Sequence, residues 1–162
     1  MSKFKKYFNP GGLHIEEAER IANIIQTYNI QSILEIGCGL SSTSLFLDYT
    51  SDLTTYEDNN EWAKIVSERF NHEVKTYIPG TLKITQKYDL IFIDGPSGSE
   101  NREGSFISSI NKSKFVLIHD SFGDHIQNFI NEHLLKDKLY SVIPFPPLTQ
   151  TSGLTLLKNN YE

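Results

Sequence analysis

Four acidic residues stand inside or at the end of apolar runs, where a carboxylate can do chemistry: Glu35, Glu57, Asp94 and Asp120. Glu35 lies within "SILEI" (32–36), two residues before the turn Gly37-Cys38-Gly39 and the hydroxyl pair Ser41 and Ser42. Glycines at such a turn let backbone N–H groups approach a ligand with no Cβ in the way. Many strand-to-helix turns carry glycine for sterics alone, so the turn by itself does not decide. Glu57 follows Gly37 by 20 residues, at the end of "LTTYE". From that position a carboxylate can grip the two hydroxyls of a ribose, each charged hydrogen bond contributing about 1.5–3 kcal/mol. The competing reading of Glu57 is a solvated acid ahead of "DNNE"; the spacing favours ribose binding.

Both NAD and S-adenosylmethionine offer a ribose to that carboxylate. Dinucleotide sites favour a third glycine, which lets the following helix pack close while its N-terminus holds a pyrophosphate. Here the third position is Ser42, and Glu35 would repel a pyrophosphate. An acid at residue 35 suits instead the amino group and sulfonium of S-adenosylmethionine, directly or through water. Because a buried unpaired carboxylate costs several kcal/mol, Glu35 is expected to have a cationic or N–H partner.

The elements that must position these residues alternate between two hydrophobic periods. Ala18, Ile21, Ala22, Ile25 and Tyr28 predict a helix over about 14–28. "SILEI" reads as a strand, and Ser41 or Ser42 can cap a helix through Leu45, Phe46 and Tyr49. "LTTYE" (53–57) is a short strand, followed by a helix with Trp62, Ile65, Val66 and Phe70 on one side. "EVKTYI" (73–78) is a strand candidate closed by Pro79-Gly80. "YDLIFID" (88–94) and "KFVLIHD" (114–120) are near-continuous apolar runs, as expected of strands covered on both faces. "GSFISSI" between them reads as a short helix, and Ile126, Phe129, Ile130 and Leu134 mark another. "YSVIPF" and "GLTLLK" read as a closing hairpin joined by "PPLTQTS". The pattern predicts an α/β fold: a doubly wound, mostly parallel seven-stranded Rossmann-like sheet, with helices on both faces and a C-terminal hairpin that brings in one antiparallel strand. In such sheets ligands sit at the carboxyl ends of the strands, where the Gly37 turn, Glu57, Asp94 and Asp120 all fall.

At this point the sequence resembles the class I S-adenosylmethionine-dependent methyltransferases. "ILEIGCGLSS" looks like their first motif, "TTYEDNNEW" like their second-strand acid, and "YDLIFIDGPSG" and "FVLIHDS" like their fourth and fifth strands. The resemblance covers about residues 15 to 158. It implies that Glu35, Gly37 and Gly39 line the methionine end with Ser41 and Ser42 beside them, that Glu57 holds the ribose, that Asp58 lies near the adenine, and that Asp94 adjoins the cofactor. There are departures: "YIPGT" (77–81) has no adenine-side acid, and the helix between the third and fourth strands is almost missing.

The acceptor is less defined. No "N/D-P-P-Y" signature follows the fourth strand and no Pro-Cys pair is present, which removes exocyclic-amine and cytosine-C5 chemistry. "IDG" with a later "HD" is similar to small-molecule and sugar O-methyltransferases, some of which hold Mg2+ between these strand ends. A Mg2+ ion, with Asp94 and Asp120 as hard oxygen ligands, therefore stays open. Candidate catalytic residues are Asp94, His119 and Asp120, His119 being a general base if its pKa lies near neutrality. Strand alternation would send His119 and Asp120 to opposite faces unless the strand has already ended. Arg102 and His125 sit in the neighbouring loops and could contact an anionic or sugar substrate, with solvated surface the favoured reading for both. The leading expectation is a small-molecule or sugar O-methyltransferase. Open beside it are a catalytically silent cofactor-binding or scaffold domain that needs a partner, and a nicotinamide-binding oxidoreductase.

Composition bounds the rest. The 162 residues are 38% hydrophobic and 22% charged, as in ordinary globular chains, and imply one cofactor-binding domain over 1–162. A net charge of −5 argues against nucleic acid as a partner, and Lys3, Lys5 and Lys6 read as a solvated terminus. Cys38, the single cysteine, excludes an internal disulfide and a cysteine-rich zinc site. No apolar run approaches the roughly 20 residues of a membrane helix and no signal-peptide core is present. The expectation is a cytoplasmic protein. A chain this small can complete its site by self-association, so a homo-oligomer stays open.

Overall fold

The computed structural model describes residues 3–9, 12–98, 101–149, 151 and 153–161. A seven-stranded sheet runs in the order β3-β2-β1-β4-β5-β7-β6. Its strands are β1 (Ser32–Ile36), β2 (Asp52–Glu57), β3 (Val74–Thr76), β4 (Tyr88–Ile93), β5 (Ser113–His119), β6 (Tyr140–Ile143) and β7 (Leu154–Asn159). Only β7 opposes the others: it pairs antiparallel with both β5 and β6. The helices are α1 (Ile15–Thr27), α2 (Ser42–Tyr49), α3 (Asn60–Phe70), α4 (Glu103–Ser109) and α5 (Asp124–Phe129), preceded by a 3-10 turn at Lys3–Tyr7.

The continuous apolar runs are explained by alternation across the sheet. Ile33, Leu90, Phe92, Phe115, Leu117 and Leu156 point to one face, against Ile21, Ile25, Leu45 and Phe46 of α1 and α2. Their neighbours Leu34, Ile91, Ile93, Val116, Ile118 and Leu157 point to the other, against Phe106, Ile126, Ile130 and Leu134. With both faces covered, no strand residue in the centre can be polar without a partner.

Where sequence and structure differ, the local reason is visible. The strand expected over 73–78 is only Val74–Thr76, because Pro79 and Gly80 form a turn in which Thr81 N donates to Ile78 O at 2.9 Å and Gly80 has φ +82°. No helix joins β3 to β4; the extended stretch 77–87 instead inserts Leu82 and Ile84, each 8% exposed, into the core. Burying two such side chains contributes about 1.5–3 kcal/mol each. The helix through Ile126 and Leu134 is α5 continued by a wider π turn over Ile130–Leu135. Ser41 occupies the N-cap of α2 but its hydroxyl makes no capping bond, contrary to the expected serine cap. Residues 99–100 of the loop after β4, and 150 and 152 of the hairpin loop, lie outside the described residues.

Register sets the functional edge. Ile36 of β1 pairs with Tyr56 of β2 and Ile93 of β4, and Ile93 pairs with Ile118 of β5. Gly37, Glu57, Asp94 and His119 therefore emerge level with one another, across the point between β1 and β4 where the strand order reverses. Among the described residues, no helix is long and apolar enough to cross a membrane.

Candidate active site

A cleft of about 540 Å³ opens at that edge, within the size range of small-ligand sites. Its floor is made by Gly37 and Cys38 after β1, Glu57 and Asp58 at β2, Asp94 and Gly95 after β4, and His119 and Asp120 at β5. Phe8, Asn9, Gly12 and His14 of the N-terminal stretch and Trp62 of α3 form walls. A smaller recess of about 230 Å³ adjoins it, sharing Asn9, Gly12, Cys38, Trp62 and Asp94 and adding Gly39, Ser41 and Ser42.

Glu57 is fixed from two sides. Its Oε2 accepts from Cys38 N at 2.9 Å and its Oε1 from Asn59 N at 3.0 Å. Asn59 in turn caps α3, accepting from Glu61 N and Trp62 N at 3.0 Å each. A carboxylate has about four acceptor positions, so each oxygen retains capacity for one further donor, as a pair of vicinal hydroxyls requires. Burial raises the Glu57 pKa, the two amides oppose that rise, and the neighbouring Asp58 charge adds to it. Asp58 also lines the cleft, and its buried Oδ1 has no partner among the described residues. The Ser41 hydroxyl is likewise buried without one. Orphaned polar atoms at a cleft are uncommon enough to mark places where a ligand donor or water belongs.

Gly37 serves the scaffold. With φ +90°, and with an added Cβ only 2.4 Å from Gly95 N, it lets the turns after β1 and β4 pack backbone to backbone. Trp62 Nε1 donates to Cys38 O at 2.8 Å, which holds the turn open toward the cleft. Cys38 is buried, and burial raises its thiol pKa. Among the described residues, the partners of Glu35 are hydroxyls rather than a cation or an N–H group. Its Oε2 accepts from the hydroxyls of Thr43 at 2.8 Å and Thr55 at 3.1 Å, while Oε1 accepts no hydrogen bond of normal geometry. Burial lifts its pKa to about 8, against the pull of the Ser42, Thr43 and Thr55 hydroxyls. Glu35 lies beneath the turn, lines neither recess, and reaches Gly39 only through Thr43, whose Oγ1 accepts from Gly39 N at 3.3 Å.

The structure brings Asp94, His119 and Asp120 together. β5 ends at His119, and Asp120 adopts φ +53°, a left-handed conformation that aspartate tolerates better than most residues. That kink turns both side chains into one cleft. His119 Nδ1 lies 3.1 Å from Asp94 Oδ1 and 3.5 Å from Asp120 Oδ1, and Nε2 lies 3.2 Å from Glu17 Oε2. Burial alone would lower the His119 pKa, but Asp94 and Glu17 outweigh it and carry it to about 10. Near neutral pH the ring is an imidazolium, so the near-neutral base expected at this position is not found. Glu17, fully buried on α1, is disfavoured as a charge by burial yet brought to about 2 by His119, Thr151 and the His14 amide.

Arg102 is the second correction. Rather than a solvated loop residue, it is 5% exposed. Nε donates to Pro96 O at 3.2 Å, Nη1 to His119 O at 3.1 Å and Nη2 to Asp94 Oδ1 at 3.2 Å, with Asp120 Oδ2 at 3.6 Å. Asp94, His119 and Asp120 offer ligand atoms within 4.8 Å of one another, but a guanidinium and an imidazolium already lie against the two carboxylates. As they stand, these residues do not fit a divalent ion. His125 is exposed and outside the cleft. The sequence did flag Asp94, His119 and Asp120; it missed Glu17 and Trp62 as site residues and favoured solvent for Arg102. Glu17 carried one usable signal, an acid beside Ala18 on the apolar face of α1. Nothing local distinguished Arg102.

By sequence, no protein-family model and no curated protein matches the chain. Solved structures match its fold. One is a Staphylococcus aureus protein proposed as a caffeoyl-CoA O-methyltransferase, with TM-score 0.72, 19% identity, and coverage of 92% of this chain and 85% of that one. Another is a Bacillus cereus O-methyltransferase in complex with SAH, with TM-score 0.69, 16% identity, and coverage of 92% and 83%. A third is the O-methyltransferase TomG from Streptomyces achromogenes, in complex with SAM, with TM-score 0.64, 17% identity, and coverage of 91% and 81%. The chain thus has the fold of the class I S-adenosylmethionine-dependent methyltransferases, closing hairpin included.

Proposed function

We propose that residues 1–162 form one S-adenosylmethionine-dependent methyltransferase domain, acting in the cytoplasm on a hydroxyl of a small molecule or sugar. The observation that carries the reading is the Glu57 carboxylate, held by two backbone amides at the tip of β2 with one acceptor position left on each oxygen, at the wall of a cleft that begins at the Gly37 turn. The SAH and SAM in the complexes of two of the fold neighbours are consistent with that assignment.

In this reading Glu57 accepts the ribose hydroxyls, with the Asp58 side chain toward the adenine. The recess of Ser41, Ser42 and Gly39 receives the methionine end. Burial keeps Glu35 largely protonated until a cationic group arrives near the turn, when ionisation becomes favourable. When bound, S-adenosylmethionine supplies an electrophilic methyl group on sulfur. The residues at β4 and β5 then orient the acceptor. Asp120 is half-exposed to the cleft and Asp94 partly so, and both carboxylates can accept a hydrogen bond from the attacking hydroxyl. His119 fixes those carboxylates, and one of them takes up the hydroxyl proton as the O–CH3 bond forms and the S–CH3 bond breaks. Alignment is the main contribution asked of the protein, and positioning can supply roughly 7–11 kcal/mol of the barrier reduction. Phe8, Asn9 and His14 narrow the cleft from the N-terminal side and limit the access of water.

Isothermal titration of the folded protein with S-adenosylmethionine tests the reading. Saturable one-site heat is expected, with no enhancement of NADH fluorescence on mixing. A folded sample that gives no heat with S-adenosylmethionine would remove it. Saturable binding with no methyl transfer to any of a broad set of hydroxylated acceptors would favour the silent binding domain.

A further inference from the structure

We propose that the guanidinium of Arg102 is the resident cation of this site, bridging the strand-end carboxylates Asp94 and Asp120 in the place a divalent metal ion would take. This deepens the methyltransferase reading and rests on it for what the cation does in the reaction. Three observations carry it. Arg102 is buried between the loop after β4 and the end of β5, anchored to two backbone carbonyls, Pro96 O and His119 O. Its remaining terminal nitrogen reaches both acids, at 3.2 Å and 3.6 Å. The His119 ring packs against the same pair of carboxylates, Nδ1 lying 3.1 Å and 3.5 Å from them, with its far nitrogen facing Glu17.

Mg2+ binds oxygen at about 2.0–2.1 Å and demands a near-octahedral shell. An ion that close to Asp94 Oδ1 would sit within about 5 Å of a guanidinium already bonded to the same oxygen, where like charges repel strongly in a partly buried site. Admitting the ion therefore means expelling a guanidinium held by three hydrogen bonds. Arginine stays charged at any working pH and its planar fork matches carboxylate geometry, so the positive charge needs no metal supply. Its consequence is a fixed cation beside the acceptor oxygen, with the aspartates held in one orientation before substrate arrives.

The test uses chelator-treated full-length protein and Mn2+ as probe, with free Mn2+ read by electron paramagnetic resonance. Wild type is expected to leave Mn2+ free. Arg102→Ala is expected to bind one Mn2+ about a hundredfold more tightly than wild type, from the removal of one facing charge, and Arg102→Ala/Asp120→Asn to lose that binding. Stoichiometric Mn2+ binding by wild type that Asp120→Asn abolishes would overturn the proposal; binding that Asp120→Asn leaves unchanged lies elsewhere and agrees with it. A folded Arg102→Ala protein that still leaves Mn2+ free would also overturn it, since the guanidinium would not be what keeps the ion out. Should Arg102→Ala not fold, the wild-type and Asp120→Asn pair decides alone. S-adenosylmethionine titration of the same wild-type sample reports separately on the methyltransferase reading, so either can fail without the other.

Discussion

Glu17→Gln isolates the charge that ties α1 to the active-site histidine. The substitution keeps side-chain shape and one acceptor oxygen but removes the carboxylate that faces His119 Nε2 at 3.2 Å and accepts from Thr151 and the His14 amide. The Glu17 pKa lies at about 2 in the fold against an ordinary 4.5, which corresponds to about 3 kcal/mol of native-state stabilisation at neutral pH. Because the folded pKa is depressed, that contribution is complete above the unfolded pKa and is lost as pH falls through 2. His119 behaves oppositely: raised from 6.5 to about 10, its contribution is complete below 6.5 and is lost as pH rises through 10. Glu17→Gln retains some hydrogen bonding, so the expected loss at pH 7 is about 2–3 kcal/mol, falling to less than half of that near pH 3. Urea unfolding followed by Trp62 fluorescence at pH 7, 5 and 3 measures it, and NMR titration of His119 supplies a second readout. The His119 pKa should drop in the variant yet stay above 6.5, because Asp94 still faces Nδ1. A loss below about 0.5 kcal/mol at pH 7, or one equally large at pH 3, would refute an ionised Glu17–His119 pair.

Three further outcomes follow from the geometry. Glu57→Gln should weaken S-adenosylmethionine binding about 10- to 100-fold by calorimetry, the equivalent of one charged hydrogen bond; unchanged affinity would take the ribose contact away from Glu57. Gly37→Ala should cost at least about 2 kcal/mol in denaturant unfolding, since its Cβ meets Gly95 N at 2.4 Å with φ at +90°. A near-neutral result would show that the two turns can separate. Leu82→Ala should cost about 2–3 kcal/mol, a core-like value, and a cost typical of a surface site would mean that the stretch 77–87 does not substitute for a helix.

Much of the architecture was legible because burial on both faces leaves a strong signal. Past Asp89 and Lys114, "LIFI" and "FVLI" admit no polar residue until the strand ends, so the acids that follow mark the sheet edge directly. β3 was overextended because only three of its residues pair before Pro79-Gly80 turns the chain; propensity does not report where pairing stops. The missing crossover helix was readable as an absence, but its replacement was not. Leu82 and Ile84 look like ordinary loop apolars until the sheet face above them is known.

The site divides along the same line. Glu57, Asp94, His119 and Asp120 could be placed together from sequence because parallel register carries adjacent strand ends to one level. The partners of His119 and Asp94 could not be read, because they come from other segments of the chain. Glu17 comes from α1, 102 residues before His119, and converts a candidate base into a fixed cation. Arg102 comes from the loop before α4 and converts a candidate metal pair into an internal ion pair. Glu35 was assigned a charge from its neighbours in sequence, whereas burial raises its pKa and its neighbouring hydroxyls only partly oppose that. A carboxylate's position in a strand is a local property, set by alternation and register. Its protonation is a property of the packed molecule, as the hydroxyls gathered around Glu35 and the imidazole set against Glu17 show.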